Sequence, residues 1–284
     1  MRPVSLHMLQ VARLLLVESE VHAHRSEYSK SIGSGLDAIR LSKDISRGML
    51  VDLLVGSAIS AIGQSHIKRA TIDKLSATEA KNAARRLENL EARDVSYADI
   101  LREEKRFGNL MLRDLLKAPE KEWRKEYRTS KTPRQLAIDL NRLFYEAIIN
   151  ASLPFHRRKT KLRAPDDELL KAMAGSYTDG PVAVGIFQAR DNTMSQILKT
   201  MLALRAFRIE RGAFPDTLDQ LTPNYLRRAP LDWFSGKPLR YVKKRGAYLL
   251  YSVGYDRIDD GGKALPKRAP YNAKGDIVAG INTR

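Results

Sequence analysis

The chain has 284 residues, 43% of them hydrophobic, and contains no cysteine. This length is enough for one large domain or two ordinary domains with their own cores. The lack of cysteine excludes disulfides, thiol catalysis and thiolate zinc sites. Lysine and arginine outnumber the acidic residues and give a formal net charge of +17, so anionic partners must be considered.

The N-terminal part has the apolar spacing of helices. Leucines from Leu6 onward open a helix that we predict to reach Tyr28, with a loop over residues 31–35. A second, long helix is predicted over residues 36–74. Its middle, residues 56–63, is rich in glycine, alanine and serine, and such small residues let another helix approach closely.

Capping signals predict where the next helices begin. Ser76-Ala-Thr-Glu79 is a capping box, in which the serine hydroxyl and the glutamate carboxylate satisfy each other's backbone amides. Ser96 starts a further helix, which ends before Pro119. Thr132-Pro133 combines a hydroxyl cap with proline in the first turn, and this helix is predicted to end at Pro154.

A linker and a short helix follow. Residues 153–165 are predicted to be an exposed linker, and the acidic residues 166–168 to start a short helix reaching Ala174, because negative charge complements a helix N-terminus.

The C-terminal part changes character. An apolar stripe predicts a helix that Gly212 ends, and Pro215 prevents its resumption. Turn residues at 235–238 precede two runs of strand-forming residues, 239–243 and 247–253, separated by a short glycine-containing connection. This pattern predicts a β-hairpin.

These elements predict an α+β protein that is predominantly α. We expect a helical domain over residues 1–155, a linker and short helix over 156–190, and a helix packed on a small antiparallel sheet over 191–284. No fixed repeat period is present, which favours a helical bundle over a solenoid.

An ordered series of short motifs in residues 191–284 resembles a known family. The motifs are Gly212-Ala-Phe-Pro215, Pro230-Leu-Asp-Trp-Phe-Ser-Gly-Lys-Pro-Leu-Arg-Tyr241 and Tyr251-Ser-Val-Gly-Tyr-Asp256. In this order they are similar to the soluble domain of the major pseudopilin of type II secretion systems, a type IV pilin-like protein. The resemblance implies a long helix packed on a small sheet. The preceding helical region is not assigned to a family.

The resemblance also implies a metal site. In that family a loop after the last strand binds calcium, and the matching loop here is 254–262, with carboxylates at Asp256, Asp259 and Asp260. Calcium takes about six to eight oxygen ligands, which carboxylates and loop carbonyls together can supply. The alternative interpretation is a solvated Asp-Asp-Gly-Gly turn. No other cofactor is expected.

The N-terminus departs from the family, whose members begin with a basic leader and an unbroken apolar helix. Arg13 interrupts the apolar run 11–17 and Asp52 interrupts 49–62, whereas a spanning helix needs about 20 apolar residues. A secretory signal pattern is also missing. We therefore expect the chain as written to be soluble, unable to polymerise as a pilin does, and cytoplasmic if Met1 is the true start. An upstream segment would instead place it in the envelope, periplasm or exterior.

Two basic clusters form the second functional signal. Their residues are Arg157, Arg158, Lys159, Lys161 and Arg163, and Lys243, Lys244 and Arg245. Such clusters neutralise phosphates on nucleic acid, anionic polymers or membrane surfaces. For the first cluster, a solvated linker is the favoured interpretation and an anionic-partner site the alternative. Zinc-finger spacing, an aromatic RNA-binding signature and a helix-turn-helix pattern are missing from the sequence.

Catalytic motifs are also missing. The sequence has no HExxH, GxSxG, P-loop or GxGxxG pattern. Ser65 and Lys68 have the spacing of a serine nucleophile and lysine base, but without companion motifs chance explains it better. Trp123 and Tyr127 lie four residues apart among basic residues, a pattern that fits base stacking less well than the edge of a core. We therefore expect a protein without enzymatic activity.

The sequence as a whole favours a scaffold or protein-interaction component of the bacterial envelope, linked to type II secretion or pilus-like machinery. The alternative is a nucleic-acid-binding protein that acts through its basic surface.

Overall fold

The computed structural model describes residues 4–67, 69–159, 162–178, 180–266 and 273–280. The chain is predominantly helical with a small three-stranded antiparallel sheet, which confirms the predicted α+β class. The α-helices are α1 Val4–His24, α2 Tyr28–Ile45, α3 Leu50–His66, α4 Arg69–Ile72, α5 Ala77–Glu91, α6 Tyr97–Leu115, α7 Glu120–Tyr127, α8 Pro133–Ser152, α9 Glu168–Thr178 and α10 Gly180–Arg211. Short 3₁₀ turns cover Phe155–Arg157 and Leu218–Leu221.

The predicted loop at 31–35 and the single helix over 36–74 are wrong. Residues 31–35 lie inside α2, and the second predicted helix is divided among the end of α2, α3 and α4. The reason is a close helix crossing. A Cβ on Gly35 would lie 3.1 Å from the Gly63 carbonyl oxygen, and one on Gly63 would lie 2.6 Å from that of Gly35. Small residues that suggested a loop are therefore the contact surface of α2 against α3.

The capping predictions are confirmed. Ser76 and Glu79 form the capping box of α5, and Thr132 and Gln135 form a second one at α8, where Pro133 occupies the first turn. Helix α10 ends at Gly212, whose φ of +77° is the left-handed conformation that glycine adopts readily.

The chain forms two compact units that are discontinuous in sequence. Unit 1 comprises residues 1–46, 54–94 and 187–284, and unit 2 comprises 47–53 and 95–186. Of the four boundaries between them, 53/54 and 186/187 fall within α3 and α10, and 46/47 and 94/95 fall between helices.

Unit 1 contains the main core and the sheet. Its apolar cluster joins α2, α5 and the C-terminal half of α10 to the strands and to the segment that follows α10. A smaller cluster, centred on Ala12, Val55 and Ile59, packs α1 against α3. Burial of these side chains supplies the main stabilising free energy of the unit.

The sheet lies after α10 in the chain. Its strands are β1 Arg240–Lys244, β2 Ala247–Ser252 and β3 Ile277–Gly280, in the order β1-β2-β3 and antiparallel throughout. The β1–β2 hairpin is confirmed, with Lys244 opposite Ala247 beside the turn. The third strand was not predicted. It pairs Leu250 with Ala279 and is separated from β2 by a long loop.

Unit 2 is helical. One apolar cluster includes Leu50, Tyr97 and Leu101, and a second joins α6, α7, α8 and α9 around Phe144. Gly108 allows α6 to approach α8, because a Cβ there would lie 3.1 Å from the Phe144 ring. Over the residues that the structure describes, no helix is long and apolar enough to cross a membrane.

Candidate functional site

Two of the motifs that carry the pseudopilin resemblance meet at a buried aspartate. The Asp232 carboxylate is fully buried and accepts four hydrogen bonds. Two come from the peptide N–H groups of Phe234 and Val253 at 3.0 and 3.2 Å. The hydroxyls of Ser235 and Ser252 donate the others, at 2.9 and 2.8 Å. Asp232 therefore ties the turn that precedes β1 to the end of β2.

A second buried carboxylate organises the loop between β2 and β3. Asp276 accepts hydrogen bonds from the N–H groups of Gly262 at 2.7 Å and Asp260 at 3.4 Å, and burial raises its pKa. Sequence reasoning missed this residue because it lies far along the chain from the loop that it holds. The signal in the sequence was the preceding glycine, Gly275. In the structure this residue has a φ of +119°.

The three carboxylates of the predicted calcium loop have different surroundings. Asp259 accepts from the Arg240 guanidinium at 2.8 Å and from the Tyr251 hydroxyl at 3.0 Å. Hydrogen bonding to Arg240 lowers the pKa of Asp259. Asp260 is exposed, and only its backbone N–H contacts Asp276.

Asp256 differs from both. One of its carboxylate oxygens accepts from the N–H of Ile258 at 3.1 Å. The other is buried and has no hydrogen-bond partner among the described residues. Among all the residues that the structure describes, no group of three or more His, Cys, Asp or Glu side chains is arranged to hold a metal ion. The calcium site stays a prediction.

The first basic cluster is not one continuous cationic surface. Arg157 and Lys159 are exposed. Arg158 instead lies over the rings of Tyr97 and Phe155, at 5.6 and 5.7 Å, and burial lowers its pKa. Such a guanidinium packs a helix junction as a cation–π partner.

The rest of the basic residues are distributed differently. Arg163 is exposed and lies 3.5 Å from Asp166, whereas Lys161 lies outside the described residues. In the second cluster, Lys243 pairs with Asp216 at 2.7 Å, and Lys244 and Arg245 are exposed at the hairpin turn. The two clusters belong to different units.

Of the remaining sequence candidates, Ser65 and Trp123 make contacts within the fold. Ser65 donates its hydroxyl to the Ile62 carbonyl at 2.8 Å, which is a helix-internal contact, and Lys68 lies outside the described residues. Trp123 is buried in the second cluster of unit 2 and is covered by the Arg124 guanidinium at 5.1 Å. This supports the core-edge interpretation of that aromatic pair.

Sequence reasoning also missed a row of buried polar side chains on α10. Lys199 is buried and pairs with Glu91 at 2.7 Å, and Gln196 donates to the same carboxylate at 3.0 Å. Earlier on the same helix, burial raises the pKa of Asp191 to about 7, although the charge of Lys43 lowers it. The contacts of Lys199 and Gln196 with Glu91 lie inside unit 1 and join α10 to α5.

Several helices carry exposed apolar side chains, among them α8, α1 and α6, where Phe107, Leu110 and Met111 are 44%, 47% and 50% exposed. On α8, the side chains of Ile138, Tyr145 and Ile149 are 57%, 63% and 50% exposed, opposite the face that packs into unit 2. On α1, Val11, Leu14, Val17 and Val21 form a similar row. Single exposed apolar residues are ordinary, but rows at helical spacing mark surfaces that contact another molecule.

No family model, curated protein or solved structure matches the chain.

Proposed function

We propose that this protein is a non-enzymatic scaffold that acts through protein contacts in the bacterial envelope, in association with type II secretion or pilus-like machinery. The observation that carries the proposal is the outer face of α8. Ile138, Tyr145 and Ile149 lie at intervals of seven and four residues, which places them on one side of the helix.

A helix that is apolar on two opposite faces is typical of a buried helix. The inner face of α8, including Leu136, Leu140 and Phe144, is already covered within unit 2. The outer face is exposed, so it is suited to a second protein. Tyrosine at its centre suits such a contact, because its ring supplies large contact area with little loss of side-chain freedom.

The C-terminal module supports the link to secretion machinery. It has a long helix followed by a small antiparallel sheet, as the pseudopilin resemblance implies. The hydrogen bond from Ser252 to Asp232 joins two of the motifs that carry this resemblance. Asp232 and Ser252 therefore have a structural role in the module.

A photo-crosslinking amino acid at Tyr145 in the source cells tests the proposal. We expect a covalent adduct with an envelope protein, and loss of that adduct when Ile138 and Ile149 are both replaced by glutamate. The control places the same amino acid at Lys117, which is exposed on unit 2 outside this face. Absence of protein adducts at Tyr145, or equal adducts at both positions, would contradict the proposal.

Nucleic acid binding is the second candidate, because the net charge is +17 and Lys244 and Arg245 are exposed together at a hairpin turn. Binding through phosphate contacts falls steeply as salt rises. Duplex DNA binding that survives at physiological ionic strength, and weakens when Lys244 and Arg245 are replaced by glutamate, would favour this candidate.

A further inference from the structure

Helix α1 carries a row of exposed apolar side chains. Val11, Leu14, Val17 and Val21 are 41%, 69%, 59% and 41% exposed. On the opposite side of the helix, Ala12 and Ser19 are fully buried against unit 1. The most exposed large side chains of α1 therefore lie on the side opposite Ala12 and Ser19, whereas Met8 and Leu9 pack inward against the small cluster of α1 and α3.

The row has the spacing of a two-stranded coiled coil. Leu14, Val17 and Val21 are separated by three and then four residues, as are the a, d and a positions of a heptad. Gln10 and His24 extend the same seam at the next d positions and are exposed. The three apolar residues therefore form consecutive layers bounded by polar ones.

Charges beside the row fit a second copy in parallel orientation. In a parallel pair, each g residue faces the e residue five positions later in the other helix. This places Arg13 against Glu18, and Glu20 against Arg25, and each contact occurs twice because the pair is symmetric. All four contacts join opposite charges.

These residues are available for such contacts. Arg13, Glu18 and Arg25 are exposed, and the N–H of Arg25 continues the last turn of α1 by bonding the Val21 carbonyl at 3.1 Å. Glu20 contacts His66 at 3.3 Å, and its side chain is still 42% exposed.

The antiparallel orientation fits less well. It places Val21 opposite Gln10 in one register and Leu14 opposite His24 in the register one heptad away, so in each an apolar side chain meets a polar one. In the parallel orientation every layer pairs identical residues, and the apolar layers coincide. We propose that α1 is a self-association element that forms a parallel two-helix contact with α1 of a second copy of this chain. This goes beyond the α8 face, which belongs to unit 2.

The contact is expected to be weak. A helix of 21 residues is about 32 Å long and presents only a narrow seam, so it buries less than a standard interface. We expect a dissociation constant of about ten micromolar, measured by sedimentation equilibrium of the full chain.

Leu14→Glu tests the apolar layer. Its side chain is exposed in one copy, so the fold is unaffected, while two buried carboxylates at the seam weaken association by more than about a hundredfold. Ser29→Glu, at an exposed position of α2, is the matched control and leaves the dissociation constant unchanged. Equal behaviour of the two variants would overturn the proposal.

Charge exchange tests the partner and the flanking contacts. Arg13→Glu and Glu18→Arg each create two like-charge contacts, and we expect about tenfold weaker association of each variant alone. A mixture of the two variants restores both attractive contacts and associates like the unchanged protein. A mixture as weak as its components would contradict the parallel register.

Cysteine substitution tests the orientation, because the chain contains no cysteine of its own. In the parallel pair Val21 faces Val21, so Val21→Cys forms a disulfide-linked dimer under mild oxidation. A disulfide needs Cα atoms within about 7 Å. A crosslink formed only by mixing Val21→Cys with Gln10→Cys would show the antiparallel pair and overturn the proposal. A monomer that binds anionic vesicles through this row would overturn it in favour of a lipid surface.

Discussion

At the scale of single residues, buried carboxylates hold the C-terminal module together. Asp232 was visible in the sequence only as part of a motif, and its four hydrogen-bond donors come from residues up to 21 positions away. Composition and periodicity carry no information on such pairings, because they depend on how the chain returns to the same place. The same reason hid Asp276.

Replacement of Asp232 by alanine leaves four donors, three of them buried, without an acceptor. We expect a loss of about 3 kcal/mol or more in the free energy of unfolding, because unsatisfied buried polar groups are costly. Asp219→Ala, at an exposed position, is the control and should change stability by less than about 0.5 kcal/mol. Urea denaturation measures both, and a similar small loss in the two variants would show that the network contributes little.

The pKa of Asp191 gives the stability a defined pH dependence. Burial raises this pKa from 3.8 to about 7, so the folded protein binds a proton that the unfolded chain releases. The free energy of unfolding therefore falls as pH rises from about 4 to about 7 and is level above that.

Asp191→Asn removes this titration. We expect the variant to be more stable at pH 8 by about 2 kcal/mol, below the ceiling of about 4 kcal/mol for a shift of three pKa units. Its pH profile should also be flatter. Asp37→Asn, which breaks an exposed ion pair with Arg86, is the control. A variant that is equally stable or less stable at pH 8, with the slope unchanged, would show that Asp191 does not titrate in this range.

At the scale of elements, helix boundaries with capping residues were predictable and helix crossings were not. Ser76 and Thr132 predict where their helices begin, because each hydroxyl accepts a hydrogen bond from a backbone N–H of the first turn. The glycines at 35 and 63 suggested a loop and a packing surface, and only the structure shows that they contact each other. Similarly, the sequence of β3 has no strong alternation of apolar and polar residues. The strand forms because its backbone pairs with the edge of β2.

The loop between β2 and β3 gives the calcium prediction a direct test. A ligand that binds the folded protein raises the melting temperature. If the loop binds calcium, Tm rises on addition of calcium and falls back with chelator, and Asp256→Ala or Asp260→Ala removes the rise. Asp219→Ala serves again as the control. An unchanged Tm in the original protein would reject calcium and leave a turn held by Asp276.

At the scale of the whole molecule, the sequence predicted the fold class but not the two units. Each unit draws on segments from separate parts of the chain, and two of the four boundaries fall inside continuous helices, where composition does not change. The outer apolar rows of α1 and α8 were also missed. A row is recognised as exposed only when the opposite face is known to be filled, as it is by Leu140 and Phe144 on α8.

The net charge of +17 acts at this scale too. It attracts anionic partners over a Debye length of about 8 Å at physiological ionic strength. Ion pairs such as those of Lys243 and Arg163 reduce the local charge at the two basic clusters. We therefore give protein contacts through apolar helix faces more weight than contacts with phosphate.

Fractionation of the source cells, with and without nuclease and high salt, is the most direct test of the central claim. A scaffold of the envelope remains in the envelope fraction under both treatments and moves out of it when Ile138, Tyr145 and Ile149 are replaced by glutamate. Release of the protein from nucleic acid by nuclease or salt, together with an unchanged distribution when the α8 residues are replaced, would contradict the claim.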